Sequence, residues 1–329
     1  MSILVCGGAG YIGSHAVAEL IDQGEDVIVV DSLETGHEEA VIEGAVFYQG
    51  DMREEGFLER VFAENEIDSV MHFAANSLVG ESVENPLKYY DNNVYGAITL
   101  LKVMARHDVL QIVFSSTAAT YGEPNQIPIQ ESDATAPTNP YGETKRAIER
   151  MLMWAEQAHG IRSIVFRYFN VAGADPKGRL GEDHRPETHL IPIILQVAQG
   201  KRDKILMFGD DYPTADGTCI RDYIHVTDLV DAHILAVRKL QDGAQSATYN
   251  LGNGQGFSVK EVVDAVRKVT GHEIPAEVAP RRAGDPAKLV ASSEKAKREL
   301  GWVPQYAQVE QMIESAWDWY QKHPNGYAN

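Results

Sequence analysis

An apolar tetrapeptide, Ile3-Leu4-Val5-Cys6, runs straight into Gly7-Gly8-Ala9-Gly10-Tyr11-Ile12-Gly13 and then into a stretch of helical periodicity reaching about Gln23. Strand, glycine-rich turn and helix in that order confine the chain to βαβ architecture. Gly8, Gly10 and Gly13 hold the G-x-G-x-x-G spacing: the early glycines permit a tight turn and close approach of a pyrophosphate to backbone, and the last lets the helix pack on the strand. The helix N-terminus then faces the phosphates. Gly24 closes this helix, Asp26-Val27-Ile28-Val29-Val30 reads as a second buried strand, and Asp31 ends it 18 residues beyond Gly13. A carboxylate at that point accepts hydrogen bonds from adenosine ribose hydroxyls and repels a 2′-phosphate, so NAD is expected over NADP.

The same rhythm continues through Ala45-Val46-Phe47-Tyr48 before Gly50-Asp51-Met52-Arg53, a helix over about Glu55 to Asn65, and a strand over Ser69 to Ala75. A helix ending near His107, the strand Gln111-Ile112-Val113-Phe114 with Ser115-Ser116-Thr117, and a helix carrying Tyr141 follow. Buried strands alternating with helices imply an α/β fold with a Rossmann-type, doubly wound parallel sheet. Ligands of such sheets bind at the carboxyl ends of the strands, where Gly7, Asp31, Asp51, Ala74, Thr117 and, on its helix, Tyr141 are expected.

Tyr141 and Lys145 stand four residues apart, so a helix puts both on one face. An isolated phenol titrates near pH ~10, and an adjacent ammonium favours phenolate, which makes this tyrosine a candidate base.

Among the 329 residues no apolar run approaches the ~20 needed to span a bilayer, and no basic segment precedes the N-terminal apolar stretch. Cys6 and Cys219 are too few for a disulfide framework, so a reducing cytoplasm is the expected location. A net charge of −19 argues against nucleic acid, and an anionic ligand then needs a locally basic site.

Ordered blocks along nearly the whole chain extend these readings. They are Gly7 to Gly13, Gly50 to Arg53, His72-Phe73-Ala74, Val79-Gly80-Glu81-Ser82, Tyr89-Tyr90-Asp91-Asn92-Asn93, Phe114 to Thr117 with Tyr121-Gly122, and Tyr141 to Lys145. Arg167-Tyr168-Phe169-Asn170, Gly217 through Arg221 to Val226, Tyr249-Asn250-Leu251-Gly252 and Arg281-Arg282-Ala283-Gly284-Asp285 complete the set. In these blocks the chain resembles the extended short-chain dehydrogenases/reductases, and within them the members that epimerise nucleotide sugars at C4.

The resemblance implies tightly bound NAD, reversible interconversion of UDP-glucose and UDP-galactose through a transient 4-keto sugar, a place in galactose metabolism, and a homodimer. It implies that Tyr141 is the acid/base, that Lys145 holds the nicotinamide ribose and lowers the phenol's pKa, and that Thr117 hydrogen-bonds the reacting hydroxyl. Cofactor contacts fall on Gly7, Gly10, Tyr11, Ile12, Gly13, Asp31, Asp51, Met52, Phe73, Ala74, Asn92 and Tyr168, besides Tyr141 and Lys145. Substrate contacts fall on Thr117, Asn170, His189, Leu190, Phe208, Arg221, Tyr223, Arg282, Asp285 and Leu289. Forked arginine donors suit a diphosphate in an acidic protein, although a single arginine is as readily a solvated surface charge.

Sister enzymes that eliminate water need an acid pair directly after the threonine, and here those positions are Ala118 and Ala119. Decarboxylation or uronate epimerisation would need a basic residue for a sugar carboxylate, and no added one is evident. A catalytically silent NAD sensor is the alternative from another class, and the intact Thr117, Tyr141 and Lys145 speak against it. Ser77 stands where some epimerases carry a lysine, His189 replaces a common asparagine, and Leu289 is intermediate between a large tyrosine that excludes N-acetylated sugars and a small residue that admits them. Weaker activity on the N-acetyl pair is therefore expected. His184 and His189 have no cysteine or carboxylate cluster evident in sequence to complete a metal site, so no metal is expected.

The division expected is residues 1–173 for NAD and 174–329 for a smaller nucleotide-sugar lobe, with segments around 220–250 returning to the first. The last third carries strand-like Ile205 to Phe208 and Tyr249 to Leu251, a helix over Val259 to Thr270, and a helix over Val309 to Tyr320. On that last helix Met312, Ile313, Ala316, Trp317 and Tyr320 are expected to share a core-facing side.

Overall fold

A computed structural model describes residues 2–282 and 285–327; Ala283 and Gly284 of the Arg281 to Asp285 block lie outside the described residues. The strands in chain order are β1 (Ser2–Cys6), β2 (Asp26–Asp31), β3 (Val46–Gln49), β4 (Ser69–His72), β5 (Gln111–Ser115), β6 (Arg162–Tyr168) and β7 (Asn170–Ala172). There follow β8 (Ile205–Phe208), β9 (Ile220–Arg221), β10 (Tyr223–His225), β11 (Ala247–Leu251), β12 (Phe257–Ser258), β13 (Ala276–Ala279) and β14 (Lys288–Leu289). The α-helices are α1 (Tyr11–Asp22), α2 (Glu55–Glu64), α3 (Val79–Glu84), α4 (Pro86–Tyr89), α5 (Gly96–Arg106), α6 (Pro140–His159), α7 (Leu190–Ala198), α8 (Val226–Gln241), α9 (Val259–Thr270), α10 (Glu294–Leu300) and α11 (Val309–Lys322).

The central sheet is parallel throughout and ordered β3-β2-β1-β4-β5-β6-β11. Its strands are apolar on both faces because helices cover both. Period-two alternation sends Ile3, Val5, Val29, Met71 and Phe166 towards a cluster with Val17 and Leu20 of α1 and Leu229, Ala236 and Val237 of α8. Leu4, Cys6, Ile28, Val70 and Phe114 point the other way, onto Leu58 of α2, Leu100 of α5 and Ile148 of α6. Each such side chain contributes about 1.5–3 kcal/mol by leaving water. Strand order reverses at β1, so the carboxyl ends of β1 and β4 form the switch point at which doubly wound sheets bind ligands.

The strand expected over Ser69 to Ala75 ends earlier, at His72. Phe73 and Ala74 both donate their N–H groups to the Cys6 carbonyl, at 2.8 and 3.0 Å, which turns the chain across the end of β1. Helix α6 starts where Asn139 accepts from Gly142 N at 2.9 Å and Pro140 occupies the first turn, and it stops at Gly160 in left-handed backbone. Between α4 and α5 a π turn, Tyr90–Tyr95, presents two asparagines to α6: Asn93 Nδ2 donates to Thr144 Oγ1 at 3.1 Å.

After β6 the chain leaves the sheet to build a smaller lobe around α7, α9 and α11, with Leu195, Val262, Val266, Met312 and Ile313 at its centre. On α11 the side facing that core carries Trp319, 1% exposed, whereas Trp317 is only half-buried. Positions 312, 313, 316, 319 and 320 repeat at the i, i+1, i+4, i+7, i+8 spacing of one helical stripe, and Trp317 lies at its margin, packed against the same core. The chain then returns: α8 packs on the central sheet and β11 pairs with β6, Tyr249 beside Phe166. Among the described residues no helix is long and apolar enough to cross a membrane.

Candidate active site

The glycine turn is shaped by contacts that exclude side chains. Gly7 has φ +81°, and a Cβ there would lie 2.5 Å from Ala74 N; at Gly13 it would lie 2.0 Å from the Gly7 carbonyl oxygen. Gly10, Tyr11 and Ile12 open α1, whose N-terminal turn has no acidic residue. Tyr11 Oη reaches out of the turn and donates to the Gly173 carbonyl at 2.6 Å, tying it to the start of the smaller lobe.

Asp31, at the end of β2, accepts from Ala9 N (Oδ2) and from Leu33 N (Oδ1), both at 2.9 Å, so its carboxylate lies across the glycine turn. Burial pushes its pKa up, against the pull of these amides. Asp51, after β3, is clasped by Arg53, whose Nε lies 3.0 Å from each carboxylate oxygen and holds the acid below its ordinary range. Met52 is buried beside it, and the Phe73 ring lies 4.8 Å from His233, beneath the end of β4. Asn92 sits in the π turn and donates to Asn93 Oδ1 at 3.1 Å.

At the end of β5, Thr117 caps a 3-10 turn, Ala118–Thr120, by accepting from Ala119 N at 3.2 Å. The Thr117 side chain stands close enough to the Tyr141 phenol to pull its pKa down. Lys145 Nζ donates to the Ser115 carbonyl at 2.8 Å and stands 6.0 Å from the Tyr141 ring centroid. Tyr168, at the end of β6, lies close to Ser115 and close enough to Tyr141 to raise its own pKa further after burial has done so. Thus Thr117, Tyr141, Lys145 and Tyr168 converge over one strand end.

The electrostatics differ from the sequence expectation. Burial pushes the Tyr141 phenol up to about 12, opposed only by Thr117, and pushes the Lys145 ammonium down to about 7. Lys145 does not lower the phenol here, because both groups are dry and desolvation of each charged form outweighs their attraction. The lysine's charge is held instead by the Ser115 carbonyl and by Glu149, which raises it.

The candidate nucleotide contacts gather in the smaller lobe. Arg221 of β9 forms an ion pair with Asp285 and gives its Nη1 to the Ile220 carbonyl at 2.8 Å, while Leu289 of β14 is its register partner. Arg282 lies over the Phe208 ring, 4.2 Å from its centroid. Tyr223 is buried in β10, and Asn170 Nδ2 donates to the Asp222 carbonyl at 2.9 Å. Leu190 begins α7, and His189 precedes it as the helix cap.

Sequence reading missed several groups. Glu182 and Glu187 converge on His184 and His189, overturning the expectation that no carboxylates join the two histidines: ligand-type atoms of all four lie within 4.8 Å of one another. The spacing Glu-x-His-x-x-Glu-x-His was the signal. Buried Arg167 forks onto Glu149 at 3.0 and 2.6 Å, with Ser116 Oγ donating to the same carboxylate and Tyr121 Oη beside it, a support directly beneath Thr117. Buried Tyr212 keeps its hydroxyl unpartnered under Arg281.

Residues 3–252 match the model of the NAD dependent epimerase/dehydratase family. The chain belongs to that family. This family member is 62% identical over 328 residues to the UDP-glucose 4-epimerase of Halalkalibacterium halodurans, covering 100% of this chain and 98% of that one. It superposes with TM-score 0.99 on a crystal structure of UDP-glucose 4-epimerase at 66% identity, with both chains covered in full. It is also similar, with TM-score 0.93 and 43% identity over 99% of this chain and 100% of the other, to the Bifidobacterium longum enzyme in complex with NAD+ and UDP. The epimerase/dehydratase fold explains the cradle at Gly7 and Gly13: a backbone surface no Cβ can occupy, followed by a helix N-terminus and then an acid, fits a dinucleotide.

Proposed function

We infer that the protein interconverts UDP-glucose and UDP-galactose by reversible epimerisation at sugar C4, with tightly bound NAD, through a transient 4-keto sugar. The observation that carries this reading is the placing of Thr117, at the end of β5, beside the buried Tyr141 phenol, with Ala118 and Ala119 rather than acids after the threonine. One phenol then works in both directions, and no carboxylate follows Thr117 to expel a sugar hydroxyl.

NAD would be held by Gly7, Gly10, Tyr11, Ile12 and Gly13 at the turn, by Asp31, Asp51 and Met52 on the adenosine side, and by Phe73, Ala74, Asn92, Lys145 and Tyr168 nearer the sheet centre. When bound, it supplies the hydride acceptor and donor for C4 and, in its oxidised form, a positive charge. Thr117 orients the C4 hydroxyl, and Tyr141 takes the hydroxyl proton at Oη. After the ketone has turned its other face, Tyr141 returns that proton. A phenol driven to about 12 by burial has to be brought down by positive charge for the first step and is well suited to giving its proton back in the second.

Turning the sugar requires the anchoring to lie elsewhere. Arg221, Arg282 and Asp285, with Asn170, His189, Leu190, Phe208 and Tyr223, would hold UDP, and remote binding energy of this kind positions the reacting carbon. Leu289, opposite Arg221, would gate the sugar's second carbon and allow weaker turnover of N-acetylated UDP-sugars.

Residues 1–173 with the returning 220–250 region would form the NAD domain, and the rest of 174–329 the nucleotide-sugar lobe. A cytoplasmic homodimer fits this reading. Exposed Met153 and Trp154 of α6, 61% and 63% accessible, and Leu87 of the adjoining α4 support pairing through cofactor-domain helices, which sedimentation would check. The deciding experiment incubates purified protein with UDP-galactose and no added NAD. UDP-glucose should appear with no net gain in 340 nm absorbance; a 4-keto-6-deoxy product would overturn the reading.

A further inference from the structure

Residues 182–189 fold four ligand-type side chains onto one point on the far side of Tyr11 from the glycine turn. His189 Nδ1 lies 2.9 Å from Glu182 Oε1 and 3.0 Å from Glu187 Oε1. His184 Nδ1 lies 3.2 Å from Glu182 Oε1 and 3.7 Å from Glu187 Oε2. A tetrahedral zinc ion with nitrogen and oxygen ligands at 2.0–2.2 Å separates its ligand atoms by about 3.3–3.6 Å. Among Glu182 Oε1, His184 Nδ1, Glu187 Oε2 and His189 Nδ1 the separations of 2.9, 3.2 and 3.7 Å lie around that spacing, and the four ligand groups fall within 4.8 Å of one another.

A network of ion pairs alone leaves one feature unexplained. His184 Nδ1 and Glu187 Oε2 are buried and make no hydrogen bond, although each has the other's charge sign nearby. The two imidazoles stand 5.0 Å apart between centroids, both turned by Nδ1 to the same two carboxylates. A dication resolves it: it takes the orphaned nitrogen and oxygen as ligands and balances the two carboxylates.

The carboxylates are held from within, while the His184 and His189 side chains keep 26% and 42% of their surface. Glu187 Oε1 accepts the N–H groups of Thr188 and His189 at 2.7 and 2.8 Å, which fixes the carboxylate and leaves Oε2 to bind. Tyr320 Oη donates to the Glu182 carbonyl at 2.7 Å, and the Tyr11 ring meets His184 edge-on at 6.1 Å. Glu182 and Glu187 are 5% and 8% exposed. Two imidazoles and two carboxylates in a four-ligand shell suit zinc, whereas calcium and magnesium prefer six or more oxygens.

We propose that Glu182, His184, Glu187 and His189 bind one structural zinc ion, which fixes the segment between Tyr11 of the glycine turn and Leu190 at the start of α7. This role is independent of the chemistry at Tyr141. With four protein ligands the ion has no position left for substrate, and His189 would meet UDP only through Nε2, the ring nitrogen turned away from the ion.

The test uses untagged full-length protein purified without metal-affinity resin. Mass spectrometric metal analysis should find one zinc per chain, and X-ray absorption should show nitrogen and oxygen neighbours at about 2.0–2.1 Å with no sulfur. After removal with a chelator, zinc chloride should rebind one equivalent in competition with a zinc-binding dye and raise the melting temperature. His184→Gln and Glu187→Gln should each abolish that uptake while retaining native far-UV circular dichroism. The proposal is overturned if the wild-type protein carries no zinc and takes none from the dye, if sulfur appears in the shell, or if both variants bind zinc as the parent does. The wild-type measurements decide the matter even if a variant fails to fold.

Discussion

Lys145 Nζ donates its 2.8 Å hydrogen bond to the carbonyl of Ser115, the last residue of β5, and not to the phenol one helical turn before it. The lysine is thereby fixed to the sheet, while the polar neighbour that acts on the Tyr141 phenol is Thr117, so the two groups answer to different neighbours. The Ser115 side chain continues the chain of contacts, meeting His233 Nε2 at 3.0 Å, whose Nδ1 is turned to the Leu229 carbonyl at 2.8 Å. A carbonyl only accepts, so Nδ1 carries the proton and Nε2 accepts from Ser115.

Removing the phenolic hydroxyl should separate chemistry from binding. Tyr141→Phe is expected to lower kcat by about 10²–10⁴-fold, the usual worth of a positioned acid/base, while UDP affinity and bound NAD stay near the parent values. Turnover and calorimetric UDP binding measured together check this. Equal losses in both would mean the tyrosine is structural.

Gly13→Ala should release the cofactor. Its Cβ would lie 2.0 Å from the Gly7 carbonyl oxygen, so α1 must move away from β1. The purified variant is expected to carry little NAD and to melt well below the parent. Gly56→Ala in α2 is the control, since nothing lies within 4 Å of its Cβ, and it should gain roughly 0.5–1 kcal/mol of helix stability. Normal NAD content in Gly13→Ala would refute this account of the turn.

Leu289→Tyr places a larger side chain opposite Arg221. The ratio of activity on UDP-N-acetylglucosamine to activity on UDP-glucose should fall several-fold, with UDP-glucose turnover little changed. An unchanged ratio would remove Leu289 from sugar selection.

Four buried histidines predict the response to acid. Burial lowers His15 and His233 to about 4 and His72 and His225 to about 3, from an ordinary 6.5. Below pH 6.5 the unfolded chain takes up protons that the folded one refuses, so stability is full above 6.5 and falls as pH drops towards 4. The loss is roughly 1.4 kcal/mol per imidazole for each pH unit in that window. Urea unfolding at pH 7.5 and 5.5 should show it, and His233→Gln should flatten the slope; coincident midpoints at the two pH values would count against neutral burial.

Much of this was readable from the residues because it is local. Ile3 to Gly13 dictates strand, turn and helix within eleven positions, and the four-residue spacing of Tyr141 and Lys145 needs only a helix. What escaped depends on what the chain packs against. Strand β4 stops at His72 because the Cys6 carbonyl captures the next two amides, a partner far away in sequence. Trp319 is buried more fully than Trp317, which packs at the margin of the same core, because the stripe on α11 is set by where α7 and α9 lie. The electrostatics of Tyr141 turn on dryness, which no spacing reports, and Glu182 and Glu187 meet the histidines only through the path of the loop.

The detour of the chain between β6 and β11 has a consequence for synthesis. Until Ala247–Leu251 has left the ribosome, β6 is the outer strand of a sheet apolar on both faces, with its row of backbone donors and acceptors open. Since domains complete from the N-terminus at about 5–20 residues per second, the nascent protein carries this open margin for several seconds while the nucleotide lobe is still being made. Truncations ending before Ala247 should therefore be aggregation-prone, and the last parallel strand works as a seal that only a nearly finished chain can apply.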